Sequence, residues 1–371
     1  MSTRLDSIRE ILLMGPGPSC VFPEVYRALA RPTLGHLDPT FIGIMDAIKE
    51  QLQTLAHTRN TCTFPVSGTG SAGMEACFVN LIERGDPVLV LVNGVFGKRM
   101  TDVAERLGAA VDALEFTWGT PVLLDQVAAQ LAKKKYSLVA VVHAETSTGV
   151  RNPVEEIGKL VKAHGALYLV DSVTGLGGIP VRLDDWGVDA FYSGTQKCLS
   201  CPPGLSPFSL SDRALAKLKA RKTKVPNWYL DVSLITSYWE GARRAYHHTA
   251  PINMLYGLHA ALDCVLTEGE EKTCARHRAA HEQLVAGLQK LGLEMLVAPE
   301  CRLPMLNSVK VPPGVDEAAV RRDLLEKHAI EIGAGLGPLA GQIWRIGLMG
   351  HTARPQNVAR VLAALQDVLK R

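Results

Sequence analysis

Between residues 88 and 210 the chain repeats one pattern, a short run rich in valine and leucine followed by a helical segment. Val88–Val92, Leu138–His143, Ala166–Asp171, Ala190–Ser193 and Leu205–Leu210 read as strands. Lys98–Leu107 and Pro153–His164 read as helices, closed by Gly108 and Gly165. Strands this apolar must be covered on both faces, and helices of this length between them provide the cover. The pattern predicts an α/β unit around a parallel sheet. Ligands on such sheets sit at the carboxyl ends of the strands, so polar residues there are the first candidates for chemistry.

The pattern changes after about residue 255. Met254 to about Leu293 reads as a long helical stretch with a break near Gly269. Ser308–Val311, Ala329–Ile332 and Ile343–Ile346 read as strands, with helices at Glu317–Lys327 and Pro355–Lys370. This predicts a smaller α+β unit. The expected organisation is an N-terminal arm over 1–13, a large unit over 14–266 and a small unit over 267–371.

Bulk properties exclude several partners. Charge is nearly balanced, 40 basic against 37 acidic residues. The longest basic piece, Lys133-Lys134-Lys135, reads as a solvated helix end, so no nucleic-acid groove is expected. No apolar run approaches the roughly 20 residues of a membrane span. The start lacks a secretory apolar region, Asp6 and Glu10 argue against a transit peptide, and the C-terminus is no peroxisomal address. A cytoplasmic protein with reduced thiols is expected. Cys198 and Cys201 form a C-x-x-C, but no second pair stands at zinc spacing, so they read as loop residues and no metal is expected.

Gly68-Thr69-Gly70-Ser71-Ala72-Gly73 matches G-x-G-x-x-G, after a strand at Thr61–Val66 and before a helix running towards Ile82. A dinucleotide site also needs an acid at the end of the next strand, which here ends at Asn93-Gly94; Asp86 lies at the wrong end. The loop retains a simpler use. Free N–H groups at the helix start, with the Thr69 and Ser71 hydroxyls, suit a phosphate.

Asp171 ends an apolar strand, where a charge needs a partner. Lys197 follows the next strand, so both side chains reach one sheet edge. Pyridoxal-phosphate chemistry needs this pair, a lysine to form a Schiff base with the cofactor aldehyde and a carboxylate to keep the pyridine nitrogen protonated.

With these residues the chain resembles the class V, fold-type I aminotransferases, specifically the alanine–glyoxylate and serine–glyoxylate (serine–pyruvate) family. The resemblance runs through Met14–Ser19, Ser67–Gly70, Asn93–Gly97, His143–Gly149, Val170–Ser172, Tyr192–Lys197, Tyr246–Thr249 and Trp344–Gly347, in the family's order. It implies a large domain with a mostly parallel seven-stranded sheet and a smaller C-terminal α+β domain. It implies pyridoxal 5'-phosphate bound to Lys197, with Asp171 on the pyridinium. Thr69, Gly70, Ser71 and Gln196 are then phosphate ligands. Phe96 stacks on the ring, where some members have Trp, and Thr146 contacts the ring hydroxyl side. Arg345 grips the substrate α-carboxylate. Tyr246 and Thr249 reach the phosphate of a neighbouring subunit, which makes a homodimer with shared active sites. His143, His247 and His248 read as structural.

The resemblance implies ping-pong transfer of an amino group from L-alanine or L-serine to glyoxylate. Ureidoglycine–glyoxylate and phosphoserine aminotransferases compete within the family, and Thr195–Ser200 is similar to the former. Cysteine desulfurases share the scaffold but need a cysteine on a mobile loop, and no such loop surrounds Cys301. A bare phosphate-binding module would leave Asp171, Lys197 and Arg345 unexplained.

Overall fold

The computed structural model describes residues 4–370 apart from 242, so residues 1–3 of the expected arm and residue 371 of the expected small unit lie outside the described residues. The larger sheet has seven strands: β1 (Cys62–Ser67), β2 (Pro87–Val92), β3 (Ala110–Glu115), β4 (Leu138–Val142), β5 (Leu167–Asp171), β6 (Ala190–Tyr192) and β7 (Leu205–Leu210). Their order across the sheet is β1-β7-β6-β5-β4-β2-β3. All neighbours are parallel except those of β7, which runs antiparallel to both β1 and β6. Two reversals restore direction, so β1 shares the sense of the other five. The carboxyl ends of six strands therefore lie along one edge.

Helices cover both faces. Those used below are α1 (Gly70–Leu81), α2 (Val95–Arg106), α3 (Leu124–Lys133), α4 (Val154–His164), α5 (Ile252–Glu268), α6 (Glu270–Lys290), α7 (Glu317–His328) and α8 (Pro355–Leu369). β2 from Val88 onward, β4 and β5 are buried throughout, as their unbroken apolar runs require. α4 ends at Gly165, and the long stretch after 252 breaks at Gly269 (φ +87°) between α5 and α6, at the predicted place.

Several expectations need correction. β7 was expected as one more parallel strand and runs the other way. β3 and α3 were not read at all; β3 is an edge strand with no fully buried residue, so it has no continuous apolar run. The strand expected at Ala329–Ile332 is shorter, Ile330–Glu331, and pairs in parallel with Leu12–Leu13 rather than joining the smaller sheet. That sheet consists of β8 (Leu306–Lys310), β9 (Gly333–Ala334) and β10 (Ile343–Gly347), in the order β8-β10-β9.

Most of the buried apolar residues form one large cluster between Phe22 and Val265 and a second built from α6, α7, α8 and β10. Leu12 and Met14 pack in the second cluster. The start of the chain is thereby threaded into the C-terminal part, with Met14 N–H donating to the Glu331 carbonyl (2.8 Å) and Gly347 N–H to the Met14 carbonyl (2.7 Å). No helix among the described residues is long and apolar enough to cross a membrane.

Candidate active site

One cavity at the carboxyl edge gathers seven of the eleven predicted site residues. Thr69, Gly70 and Ser71 line it from the start of α1, and Phe96 from the first turn of α2. Asp171 lines it from the end of β5, and Gln196 and Lys197 from the loop after β6.

The β1–α1 turn leaves donors free for an anion. Thr69 is the N-cap of α1, yet its hydroxyl makes no capping bond, so the helix start keeps unsatisfied N–H groups at its positive end. The last glycine of the loop, Gly73, faces the sheet, where an added Cβ would come 2.9 Å from the Tyr192 Cβ. Its absence lets α1 sit close to β6. Across the cavity the Gln196 amide has a buried Oε1 with no partner.

Asp171 is 3% exposed. Its Oδ2 accepts from the Tyr192 hydroxyl (2.7 Å) and its Oδ1 from the Val173 N–H (2.7 Å). Tyr192 stands beside it because β5 and β6 pair Asp171 with Tyr192 in register. Burial pushes the carboxyl up to about 7, with these two donors opposing the rise. A carboxylate so placed is suited to a cationic partner.

Lys197 is 8% exposed, and its ammonium donates to the Pro16 carbonyl. Burial pulls the amine down to about 8, and the Arg345 charge acts in the same direction. At pH 7 that raises the neutral, nucleophilic fraction about 300-fold over a lysine at 10.5. Gly17, at φ +103°, passes directly over the amine, and a Cβ there would lie 2.6 Å from Nζ. Ser19 holds the lysine backbone, its Oγ donating to the Lys197 carbonyl (2.7 Å).

The other four predicted residues lie outside this cavity wall. Thr146 is buried, its hydroxyl on that of Thr174. Its carbonyl accepts from Arg345 Nη1 (3.1 Å), while Arg345 Nε donates to the Ala334 carbonyl (2.7 Å). Burial lowers the Arg345 guanidinium to about 10, which keeps it cationic near neutrality, and Nη2 remains for a carboxylate. Tyr246 and Thr249 are exposed, with hydroxyls 3.3 Å apart. They sit in an aromatic patch with His36, 5.0 Å from the Tyr246 ring, and with Trp228, stacked 4.3 Å from His247. His143 packs edge-on to Trp186 behind the sheet and meets Ser172 Oγ (3.1 Å).

Sequence reading assigned no role to Tyr192, Pro16, Gly17, Arg99 or Glu145. Arg99 lines the cavity with its guanidinium 5.1 Å from the Phe96 ring centre. Only its position one turn after Phe96 could have flagged it. Glu145 is a fully buried carboxylate between β4 and α2.

The family profile described as Aminotransferase class-V matches residues 22–352. The alanine–glyoxylate aminotransferase of Callithrix jacchus is 42% identical, covering 98% of this chain and 89% of its own. The (S)-ureidoglycine–glyoxylate transaminase of Bacillus subtilis is 40% identical, covering 97% and 90%. The crystal structure of an alanine–glyoxylate aminotransferase from Nostoc sp. is similar at a TM-score of 0.97 and 47% identity, covering 100% of this chain and 98% of that one.

Proposed function

The chain belongs to the class V aminotransferases, pyridoxal 5'-phosphate enzymes of fold type I, and from that premise we propose that it transfers the amino group of L-alanine or L-serine to glyoxylate. The products are glycine and pyruvate or hydroxypyruvate. The observation that carries this reading is the single cavity in which an uncapped helix start, a buried carboxylate and a depressed lysine face one another.

The residues present fit the cofactor. The α1 start forms a phosphate cradle with Thr69, Gly70 and Ser71, to which the Gln196 amide N–H2 would add a donor. Asp171 would take the pyridinium, Phe96 would cover the ring, and the Thr146 segment would stand on the ring hydroxyl side. Bound there, pyridoxal phosphate supplies an electrophilic carbonyl and an electron sink for the bond broken at Cα.

The chain's own groups do the rest. Arg345 is held by two carbonyls and fixes the substrate α-carboxylate through its free N–H groups. That orients the Cα–H bond towards Lys197. The lowered pKa keeps part of the Lys197 amine neutral near pH 7, so that it can take the Cα proton and hand it on. The oxo acid leaves before glyoxylate enters the same space, so the kinetics are ping-pong.

Tyr246 and Thr249 lie outside their own cavity in an exposed aromatic patch, which supports their donating to the phosphate site of a second copy. The enzyme is then a homodimer with shared sites, and the division near residue 266 separates its large and small units. (S)-ureidoglycine is the second donor to consider, because a transaminase named for it is 40% identical over nearly the whole chain.

The test is spectroscopic. Visible absorbance of the bound cofactor should be lost on adding the amino donor and restored by glyoxylate. The fastest of L-alanine, L-serine and (S)-ureidoglycine names the substrate. A spectrum unmoved by all three, or initial-rate lines that intersect, would refute the reaction.

A further inference from the structure

Helix α2 carries Phe96 in its first turn, but its own sequence cannot cap it. The N-cap position is Gly94, which has no side chain, and no local group satisfies the first N–H donors. Those donors are met from 50 residues away. Val95 N–H donates to Ser147 Oγ (2.9 Å), and Ser147 Oγ donates on to Glu145 Oε1 (2.5 Å). Gly97 N–H donates to Glu145 Oε2 (3.4 Å), and the Phe96 N–H draws on the same carboxylate. Ser147 N–H also donates to Oε1 (3.0 Å). The hydrogen bonds to this buried carboxylate come from the Ser147 hydroxyl and the N–H groups of Ser147 and Gly97. Gly94 is what admits it, since a Cβ there would overlap both Glu145 and Ser147.

The residue between the two caps is Thr146, whose carbonyl holds Arg345 and whose hydroxyl meets Thr174. Glu145 and Asp171 also feel one another's charge, as do Glu145 and Arg345. The segment fills the crevice between the ends of β2 and β4. There the chain turns outward to β3 on one side and to β5 on the other, the point where such sheets build sites.

We propose that Glu145 and Ser147 are positioning residues for the amino transfer: a cap supplied from outside α2 that fixes the Phe96 ring and, through Thr146, ties it to the carboxylate-binding Arg345. This rests on the reading of Phe96 and Arg345 given above. One rigid tripeptide sets the cofactor's stacking face and the substrate's anchor together, so disturbing the cap shifts both.

Glu145→Gln places a donor where an acceptor is needed on one side of the cap. The affinity of the apoprotein for pyridoxal phosphate should fall at least tenfold. The visible circular dichroism of the bound cofactor should fall by more than half, and KM for the amino donor should rise at least fivefold. Ser147→Ala keeps the carboxylate and should move all three readings the same way by a smaller factor; it carries the test alone if Glu145→Gln does not fold. Arg106→Gln breaks the Arg106–Asp102 pair (3.0 Å) at the far end of α2 and should move none. Wild-type affinity and dichroism in the cap variants, or an Arg106→Gln as impaired as Glu145→Gln, overturns the proposal. Phe96→Ala separates the levels. If it leaves affinity and dichroism unchanged, the reading of Phe96 fails and takes the cap with it. If it disturbs them while Glu145→Gln does not, only the cap is wrong.

Discussion

The buried carboxylate of Asp171 should make the cofactor-free protein less stable as pH rises. Its ordinary value of 3.8 rises to about 7 in the folded chain. The folded state therefore holds a proton that the unfolded chain has released, and stability falls with pH across that interval. The contribution is fully present below 3.8 and is gone above about 7. Between pH 5 and pH 8 the decisive span is 5 to 7, two units at about 1.36 kcal/mol each, or about 2.7 kcal/mol. Asp171 is almost entirely buried, so solvent screening does not reduce this much. Asp171→Asn removes the titration. The amide also loses one of the two bonds from Tyr192 and Val173, a cost of about 1–3 kcal/mol. That cost applies at both pH values and cancels in the comparison. Urea unfolding of both apoproteins at pH 5 and pH 8, at one protein concentration, should show wild type losing about 2.7 kcal/mol more than the variant. Parallel pH dependence in the two proteins would refute the reasoning. Bound cofactor should abolish the difference, because a cation beside Asp171 favours its ionised form.

Other outcomes follow from the same geometry. Apoprotein should capture pyridoxal phosphate faster as pH rises, about tenfold per unit below pH 8 and level above it, because only the neutral Lys197 amine reacts; stopped-flow absorbance reads this, and a rate flat from pH 6 to 8 contradicts the depressed lysine. Lys197→Ala should exchange the substrate Cα proton at least 100-fold more slowly by NMR in deuterated water, while an unchanged rate would assign that proton to another base. Arg345→Lys should raise KM for the amino donor about 10- to 100-fold, since one forked, charge-assisted contact is lost, with cofactor affinity retained by fluorescence titration. Light scattering should give a dimer, and Tyr246→Phe with Thr249→Val should weaken cofactor binding without dissociating it; a monomer with full affinity would sink the shared site.

The strand ends were legible because the chemistry breaks an otherwise uniform pattern. Five apolar residues followed by Asp171, and a lysine just past the next strand, need no partner information to stand out. The sense of β7 was not legible, since an apolar run of six looks alike in either direction. β3 escaped because Asp112 interrupts it, drawn to Lys134 (2.9 Å) and the Tyr136 hydroxyl (2.5 Å) at an exposed edge. The start of α2 was read three residues late, at Lys98, for a physical reason. A reader looking for a local cap at Gly94 finds none, and the groups that serve lie beyond β4. Thr146 and Arg345 are 199 residues apart, and Asp171 and Tyr192 are brought side by side by strand register. Side chains that hold others in place are set by tertiary neighbours and leave little trace in spacing.

The threading of residues 12–14 between residue 330 and residue 347 has a consequence for biosynthesis. Pro16 and Gly17, which meet the Lys197 amine, are made about 310 residues before the backbone at 330–347 that anchors their segment. A nascent chain can assemble the seven-stranded sheet and expose Lys197 long before that anchor exists. The lysine's neighbourhood closes only when the strand ending at Gly347 has been made, so firm retention of cofactor reports that the chain is built and packed through that strand.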